Sequence, residues 1–497
     1  MSIRKLAGET AIYGISSILG RILNFLLVPL FTTVLPREEY ANIVTIYASI
    51  AFLMVFFTYR MEVAYFRFGT DKTIERRNTF NTALTSLLVS TLLLAFIVTL
   101  FVPQYASFYS IEDLEVYLYM CVGILCLDAL CELPYAELRL QGRPIRFATI
   151  RLVNIFVNLG LNLFFLLLCP WILLQDSLSH LHSYIQVIYN PEIKIAYIFI
   201  ANLVASLISF LLLLPSFKQY HFLFDRKLWQ RMMQYVIPLV IVGLAYLINE
   251  NLDKLLLEHL LTGTIQENKA ALGEYGACYK LAIIIALFTQ AFRYGAEPFF
   301  FRNKDEKNAN FLYAQVAKYF LVFGTIGFLV VVLYIDLFKY LIPNETYWNG
   351  LSIIPIILIA NVLAGVYYNF SVWYKLIDKT YWGAIISVGG AIITIVVNIW
   401  WIPIIGYMGS AWATLICYAA MTITCYLLGK RFYPINYPIG RMLLYLCIAV
   451  GVYQLSEFIR NYQTDNLWVI ISVNTILLLF YLGFIYMLER KELAKIV

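Results

Sequence analysis

The segment Thr79–Val102, TFNTALTSLLVSTLLLAFIVTLFV, contains no Asp, Glu, Lys or Arg. A helix needs about 20 apolar residues to cross the roughly 30 Å hydrocarbon core of a bilayer, and this segment meets that requirement. Similar apolar runs recur along all 497 residues, and only 13% of the residues are charged, whereas a soluble chain carries about 25%. We therefore predict an all-α polytopic membrane protein. A transmembrane barrel would show short alternating segments instead.

The apolar runs predict about 14 transmembrane helices, which we call spans 1 to 14. Span 1 follows a basic N-terminal segment that has no small-residue cleavage site, so we expect an uncleaved span and not a signal peptide. The predicted ranges are 8–34, 39–66, 79–102, 113–138, 147–172, 194–216, 232–259, 272–299, 312–336, 351–374, 380–402, 407–429, 439–458 and 466–488.

The basic residues outside the apolar centres of the spans are distributed unequally between the two sides of the membrane. One set of segments, which includes both termini, holds 25 of them, and the other set holds 5. The positive-inside rule places the first set in the cytoplasm. We expect a multi-pass protein of the bacterial cytoplasmic (inner) membrane with both termini cytoplasmic. The net charge of +6 then reflects topology, and we expect no nucleic-acid partner.

Two segments at the ends of spans 2 and 8 resemble each other. YRMEVAYFRF (Tyr59–Phe68) aligns with YGAEPFFFRN (Tyr294–Asn303) at an offset of 235. Spans 5 and 11 align at an offset of 236. An offset of six spans preserves orientation, so it predicts a parallel internal repeat of two six-helix lobes, with a cavity between them and alternating access. The matched pairs include Glu62 with Glu297, Gly142 with Asp378, Ala148 with Ala384, and Asn162 with Asn398.

This duplication predicts an N-terminal six-helix lobe over 1–216 and a C-terminal six-helix lobe over 217–431. Two additional transmembrane helices occupy 432–497. No stretch outside the membrane exceeds about 22 residues by this assignment, and no GxxxxGK[ST] nucleotide-binding loop occurs in the sequence. We therefore expect neither a catalytic domain nor ATP-driven transport by this chain alone.

Several spans contain ionisable residues, although a charged side chain at mid-bilayer costs about 2.5–3.5 kcal/mol on insertion scales. Such residues need a partner or a hydrated cavity, and their concentration in spans 1, 2, 4, 7 and 8 predicts that these spans line one. The substrate-binding candidates are Arg21, Asn24, Arg60, Glu250, Asp253, Lys254, Lys280 and Arg293, and the ion-coupling candidates are Asp128, Glu132, Glu62 and Glu297.

These assignments have structural alternatives. Glu250 with Lys254, and Arg293 with Glu297, lie four residues apart and can pair along one helix. Asp128 and Glu132 are like charges on one helical face, so they share a proton or a cation, or each pairs with an arginine of another helix. We expect no metal site and no cofactor, apart from a coupling H⁺ or Na⁺.

Four segments resemble one known group of membrane proteins: GRPIRFATIRLVNIFVNLGLNLF (142–164), YVIPLVIVGLAYLINENLDKLLL (235–257), GEYGACYKLA (273–282) and VVNIWWIPIIGYMGSAWATLICY (396–418). They are similar to the polysaccharide transporter (Wzx-like oligosaccharide flippase) branch of the multidrug/oligosaccharidyl-lipid/polysaccharide exporter (MOP) superfamily. The resemblance implies two six-helix lobes about a cationic cavity. Many members have twelve spans, and the extra pair here is similar to that of the fourteen-span lipid II flippases.

The resemblance also implies an activity. A flippase of this branch moves an undecaprenyl-diphosphate-linked glycan, such as an O-antigen unit of lipopolysaccharide or a capsule or exopolysaccharide unit, from the cytoplasmic to the periplasmic leaflet. Implied partners are this lipid-linked glycan, membrane lipids, glycan polymerases and glycosyltransferases. Lys254 stands where arginine is common in the family, which keeps the charge and removes a bidentate phosphate contact. A lipid II flippase and a cation-coupled multidrug exporter are the alternatives.

Overall fold

A computed structural model describes residues 19–20, 25–71, 73–218, 220–302, 306, 308–463 and 466–493. All regular secondary structure within these ranges is helical. Twelve of the helices are long and apolar enough to cross a membrane, and a helix pair bent by 42°, Ile265–Leu281 with Ile283–Arg293, makes a thirteenth candidate. The predicted all-α, multi-pass fold is therefore confirmed. Most of span 1 lies outside the described residues, which include its end, the helix Leu27–Val34.

Most observed spans extend a few residues beyond the predicted ranges, whereas span 9 ends at Leu333, three residues before its predicted end. Span 8 is the bent pair, and its second helix runs on to Arg302. The other spans are Arg37–Gly69, Arg76–Phe108, Glu112–Leu140, Pro144–Leu173, Pro191–Phe217, Arg226–Leu260, Ala309–Leu333, Glu345–Leu376, Tyr381–Ile405, Tyr407–Phe432, Ile439–Arg460 and Leu467–Arg490.

The chain forms two compact units, Met1–His259 with Gly263–Gly273, and Leu260–Thr262 with Glu274–Val497. In the first unit, a buried cluster joins the adjoining ends of spans 2, 3, 4 and 7, and its members include Met61, Tyr65, Leu84, Leu133 and Met232. In the second unit, a buried cluster joins spans 8, 9 and 10, and its members include Phe300, Tyr313, Val372 and Leu376.

The turns that precede spans 5 and 11 have the same backbone conformation at the positions aligned by sequence. Gly142 and Asp378 are both left-handed, with φ of 63° and 56°. In each turn the next amide donates to the carbonyl oxygen five positions earlier, at 3.0 Å for Arg143 and 2.8 Å for Lys379. This is the hydrogen bond of a Schellman helix end. The two turns are thus geometric equivalents at an offset of 236.

The aligned asparagines inside these spans are also buried alike and form the same hydrogen bond. Asn162 and Asn398 are both fully buried. Each side-chain amide donates to the carbonyl oxygen four positions earlier, at 2.8 Å in both helices. A buried amide needs such a partner because leaving it unsatisfied costs about 1–3 kcal/mol. The equivalence therefore extends from the turns into the helices.

The two C-terminal helices, spans 13 and 14, attach to span 9 in the second unit. Span 14 binds span 9 through side-chain hydrogen bonds at three levels along the helix. The pairs are Lys318 with Glu489 (2.5 Å), Thr325 with Tyr481 (2.8 Å), and the carbonyl oxygen of Leu333 with Asn474 (2.6 Å). Polar contacts at several depths fix the relative position of two apolar helices more firmly than packing alone.

Candidate functional site in the first unit

Span 2 is interrupted between the helices Arg37–Thr58 and Met61–Gly69. The interruption consists of Tyr59 and Arg60, both left-handed, with φ of 31° and 58°. Left-handed backbone costs roughly 1–2 kcal/mol for each residue that has a Cβ. Such strain persists only where the surroundings enforce it, and it clusters at functional sites.

Two contacts fix the interruption of span 2. The hydroxyl groups of Tyr59 and Ser86 in span 3 are 2.7 Å apart and hydrogen-bonded. The guanidinium of Arg60 lies on Gly243 of span 7, where an added Cβ would be 3.1 Å from Nη2 and 3.3 Å from Nε. Gly243 therefore leaves the space in which the Arg60 side chain rests.

A series of neighbouring charged side chains begins at Arg60. Its Nη1 lies 4.0 Å from Oε1 of Glu62, and Glu62 interacts electrostatically with Glu132 of span 4 as well. Glu132 in turn lies 3.5 Å from Nη2 of Arg151 in span 5. Three spans thus contribute to one cluster, in which each arginine is next to a carboxylate.

Asp128 completes the cluster one helical turn from Glu132. Its carboxylate hydrogen-bonds to Ser206 of span 6 and interacts electrostatically with Arg151. The Arg151 guanidinium also lies over the ring of Tyr135, 4.2 Å from the centroid. Arg151 therefore stands between two carboxylates and an aromatic face, which together offset part of the cost of placing its charge inside a span.

The structure thus brings together residues that the sequence placed in two groups. Arg60 was a substrate-binding candidate, whereas Glu62, Asp128 and Glu132 were ion-coupling candidates. Of the two alternatives for the like-charged pair, an arginine from another helix is the observed neighbour. With three carboxylates and two guanidinium groups, the cluster carries a formal charge of −1 when all are ionised. Like-charged carboxylates at this separation favour uptake of a proton or a cation.

Arg151 is a functional candidate that the sequence did not reveal, because the predicted range of span 5 (147–172) places it near the polar end of that span. The helix begins at Pro144, so Arg151 lies about 10 Å inside it by helical rise. Proline at the first helical turn was the signal that fixes this depth.

The charged segment of span 7 is buried. Asn249, Asp253 and Lys254 are each less than 9% exposed, and Glu250 is partly buried. Nζ of Lys254 donates to the backbone carbonyl oxygen of Glu250 at 2.6 Å and to Asp253 at 3.2 Å. The carboxylate of Asp253 is thus an immediate counter-ion of Lys254. The spacing of four residues predicted pairing with the Glu250 side chain, whereas the hydrogen bond at 2.6 Å is with the Glu250 backbone carbonyl.

Further along span 7, Glu258 is a second buried acid that the sequence reasoning did not select. Lys269 lies 3.9 Å from it and donates to the carbonyl oxygen of Ser110 at 2.8 Å. Lys269 falls between the predicted ranges of span 7 (232–259) and span 8 (272–299). In the structure it is buried, since the helix Ile265–Leu281 starts before it.

The remaining candidates lie in the second unit. Lys280 is partly buried on the helix Ile265–Leu281, one residue before the bend of span 8. Arg293 is exposed, and its guanidinium lies 4.6 Å from the ring centroid of Tyr368. Nζ of Lys375 lies 4.7 Å from the same centroid. Two cations therefore share one aromatic ring.

Three candidates fall outside what the structure describes. These are Arg21 and Asn24 of span 1, and the side chain of Glu297 in span 8. Among the described residues, no group of three or more His, Cys, Asp or Glu side chains is placed to hold a metal ion.

Known structures share this fold over most of the chain. The lipid II flippase MurJ in its inward closed conformation matches with a TM-score of 0.74 at 15% identity, covering 96% of this chain and 99% of that one. An inward-facing multidrug resistance MATE family transporter of the MOP superfamily matches with a TM-score of 0.65 at 12% identity, covering 83% and 94%.

A third structure, that of the MATE multidrug transporter DinF-BH, matches with a TM-score of 0.59 at 15% identity, covering 88% of this chain and 97% of that one. No protein-family model and no curated protein matches the sequence. The chain therefore has the fold of the lipid II flippase and of the MATE transporters.

Proposed function

We propose that this protein is a flippase for a polyprenyl-diphosphate-linked oligosaccharide, which it moves from the cytoplasmic to the periplasmic leaflet of the bacterial inner membrane by alternating access. The observation that supports this most strongly is the extent of the match to a lipid II flippase. That match covers 96% of the chain, whereas the matches to the two multidrug transporters cover 83% and 88%. The larger coverage is what a shared pair of C-terminal helices would produce.

The intramembrane cations fit the chemistry of this cargo. A diphosphate can enter the membrane-spanning part of the protein only where water or charged hydrogen-bond donors surround it. The side chains of arginine and lysine are such donors. Arg60, Lys254, Lys280 and Arg293 are the proposed diphosphate contacts in the described part of the chain, and Arg21 is the proposed contact in span 1. The side-chain amide of Asn249 and the aromatic ring of Tyr368 are the proposed contacts of the glycan.

We infer a separate role for the acids of the first unit. Asp128, Glu132 and Glu62 form the proposed coupling site, at which uptake of H⁺ or Na⁺ competes with Arg151 for the carboxylates. The competition links ion binding to the packing of spans 2, 4 and 5, because these spans supply the opposing charges. A conformational change driven in this way requires different ion affinities in the two states.

Transport in vesicles tests the proposed cargo. Purified protein is reconstituted with a fluorescent polyprenyl-diphosphate oligosaccharide, and quenching by a membrane-impermeant reductant reports the leaflet of the probe. We expect protein-dependent movement of this probe, and much slower movement of a cationic dye. Movement of the dye alone would support a multidrug exporter. Movement of lipid II with exclusion of other glycans would assign the protein to peptidoglycan synthesis.

The coupling site has its own test. Asp128→Asn with Glu132→Gln should remove the dependence of flipping on an H⁺ or Na⁺ gradient. A structural ion pair predicts another result: Glu132→Gln would impair folding, and Arg151→Gln in addition would restore it. Gradient dependence that persists in the Asp128→Asn/Glu132→Gln variant would refute the coupling role.

The orientation is tested by cysteine labelling in intact cells. Thr73 and Ser177 are exposed and lie on opposite sides by the predicted topology. In a background in which the exposed native Cys447 is replaced, an impermeant maleimide should label Ser177→Cys and leave Thr73→Cys unlabelled. The reverse pattern would invert the topology.

A further inference from the structure

We propose that the first unit carries a binding site for an anionic membrane phospholipid, separate from the charged cluster described above. The site lies where span 5 begins and span 6 ends. An apolar groove there, of about 820 Å³, includes Ile145, Thr149, Val153 and Leu211 in its lining. The phosphate would bind at the end of the groove and one acyl chain would lie along it.

The groove is apolar and faces outward, as an acyl chain requires. Ile145 is 72% exposed and Leu211 is 51% exposed. Both belong to spans whose composition places them in the bilayer. Because lipid contacts every outward face of a membrane protein, a groove alone would not select one lipid. Selection must come from the charges at its end.

A cleft of about 400 Å³ adjoins the groove, and the two share Arg143, Arg146 and Pro215. Arg76 and Arg77 also line the cleft, together with one acid, Glu137. Four guanidinium groups therefore surround one carboxylate, which gives the cleft a strong positive charge. Basic pockets between spans at the membrane surface bind anionic lipid head groups.

The single carboxylate is already engaged. Glu137 forms an ion pair with Arg76 at 2.7 Å and accepts hydrogen bonds from Tyr65 and Gln141. Within the described residues, Arg77, Arg143 and Arg146 form no ion pair with any acid, and Arg146 donates to the carbonyl oxygen of Leu212 at 3.5 Å. These three charges remain for a ligand.

The N-terminus of a helix adds to the positive electrostatic potential of the cleft. Helix Pro144–Leu163 starts at the junction of groove and cleft, so its N-terminal amides and its dipole also favour an anion there. A phosphodiester at this point would meet Arg143 and Arg146 and continue into the groove through its glycerol. A zwitterionic lipid would bring its own cation into the basic cleft, which disfavours it.

Native mass spectrometry of the full-length protein in detergent tests the site. Dioleoylphosphatidylglycerol and dioleoylphosphatidylcholine are titrated onto wild type, onto Arg143→Gln/Arg146→Gln, and onto Arg226→Gln/Lys227→Gln. The last variant removes two exposed basic residues elsewhere on the first unit. We expect the first pair to weaken phosphatidylglycerol binding about tenfold and the control pair to change it less than twofold.

A second variant tests the groove without changing charge. Thr149 is exposed in the groove, and Thr149→Trp would fill it, so this variant should weaken phosphatidylglycerol binding while the protein keeps its helical circular dichroism. Equal binding of the two lipids to wild type, or equal losses in the two arginine/lysine variants, would overturn the proposal.

Competition distinguishes the source of the phosphate. Inorganic pyrophosphate should fail to displace phosphatidylglycerol, because it has no chain to occupy the groove. Displacement of phosphatidylglycerol by a polyprenyl diphosphate, present at one tenth of the phosphatidylglycerol concentration, would instead assign the site to the transport cargo. The lipid proposal would then be wrong.

Discussion

The ion pair between Lys318 of span 9 and Glu489 of span 14 determines how firmly the C-terminal helices are attached. The Nζ–Oε2 distance is 2.5 Å, and the side chains are 0% and 1% exposed. Tyr319 and Tyr445 donate to the same carboxylate. Removing one partner of a buried pair leaves an uncompensated charge and costs about 3–5 kcal/mol. We expect this loss of unfolding free energy for Glu489→Gln. Lys318→Met should cost less, because Arg441 remains 3.9 Å from the acid.

The double variant Lys318→Met/Glu489→Gln removes both charges and keeps an acceptor for the tyrosine hydroxyls. Its free energy of unfolding should lie within about 1–2 kcal/mol of the wild-type value, since replacing both members of a buried ion pair is often nearly neutral. Unfolding in mixed micelles of dodecylmaltoside and sodium dodecyl sulfate, followed by tryptophan fluorescence, measures these differences. Arg37→Gln, in a partly exposed pair with Glu38, is the control and should cost less than Glu489→Gln does. Additive single losses in the double variant would refute the reasoning.

Three further predictions concern the backbone and the helix ends. Gly142→Ala should lower stability by about 1–2 kcal/mol because φ is positive there, whereas Asp378→Gly should leave stability unchanged or raise it in the same unfolding assay; equal losses would contradict the shared turn geometry. Gly243→Val should displace the Arg60 guanidinium and reduce flipping in vesicles as much as Arg60→Gln does, with no further loss when the two are combined; independent losses would separate the two residues. The amide of Leu228 donates to Asp225 and lowers the pKa of that carboxyl, so the charge stabilises the fold at neutral pH and the benefit is lost as pH falls through the lowered pKa. Asp225→Asn should therefore have a lower thermal midpoint than wild type at pH 7 and an equal one at a pH below the lowered pKa. A difference in midpoint that is constant with pH would rule this out.

The sequence was sufficient to predict the spans because membrane insertion depends on local composition, and each span satisfies its own backbone hydrogen bonds. It also indicated the equivalent turns, since Gly142 and Asp378 align at the offset of 236 that relates spans 5 and 11. It did not indicate the interruption of span 2, because Tyr59 and Arg60 are not residues that favour left-handed backbone. Tertiary contacts with Ser86 and Gly243 impose that conformation.

Ion pairs between spans also could not be predicted from residues that are neighbours in the sequence. Lys318 was not selected because nothing near it in the sequence is acidic, and its partner Glu489 is 171 positions away. Arg151 is paired across spans in the same way. A single sequence shows which charges require a partner in the membrane, but the choice of partner depends on how the helices pack. The spacing of Asp128 and Glu132 therefore indicated that these acids need a partner, and the structure adds Arg151 as their neighbour.

The two units have equivalent turns before spans 5 and 11, but they differ in the ionisable residues at aligned positions. At the offset of 236, Glu132 of the first unit corresponds to Tyr368 of the second, and Arg151 corresponds to Ser387. The first unit therefore surrounds an arginine with acids, whereas the second places Arg293 and Lys375 on an aromatic ring. Acids favour a proton or a metal cation, and arginine and lysine beside an aromatic face favour an anion. This difference fits the proposed function, in which the acids of the first unit respond to an ion and Arg293 is one of the contacts of the glycan diphosphate.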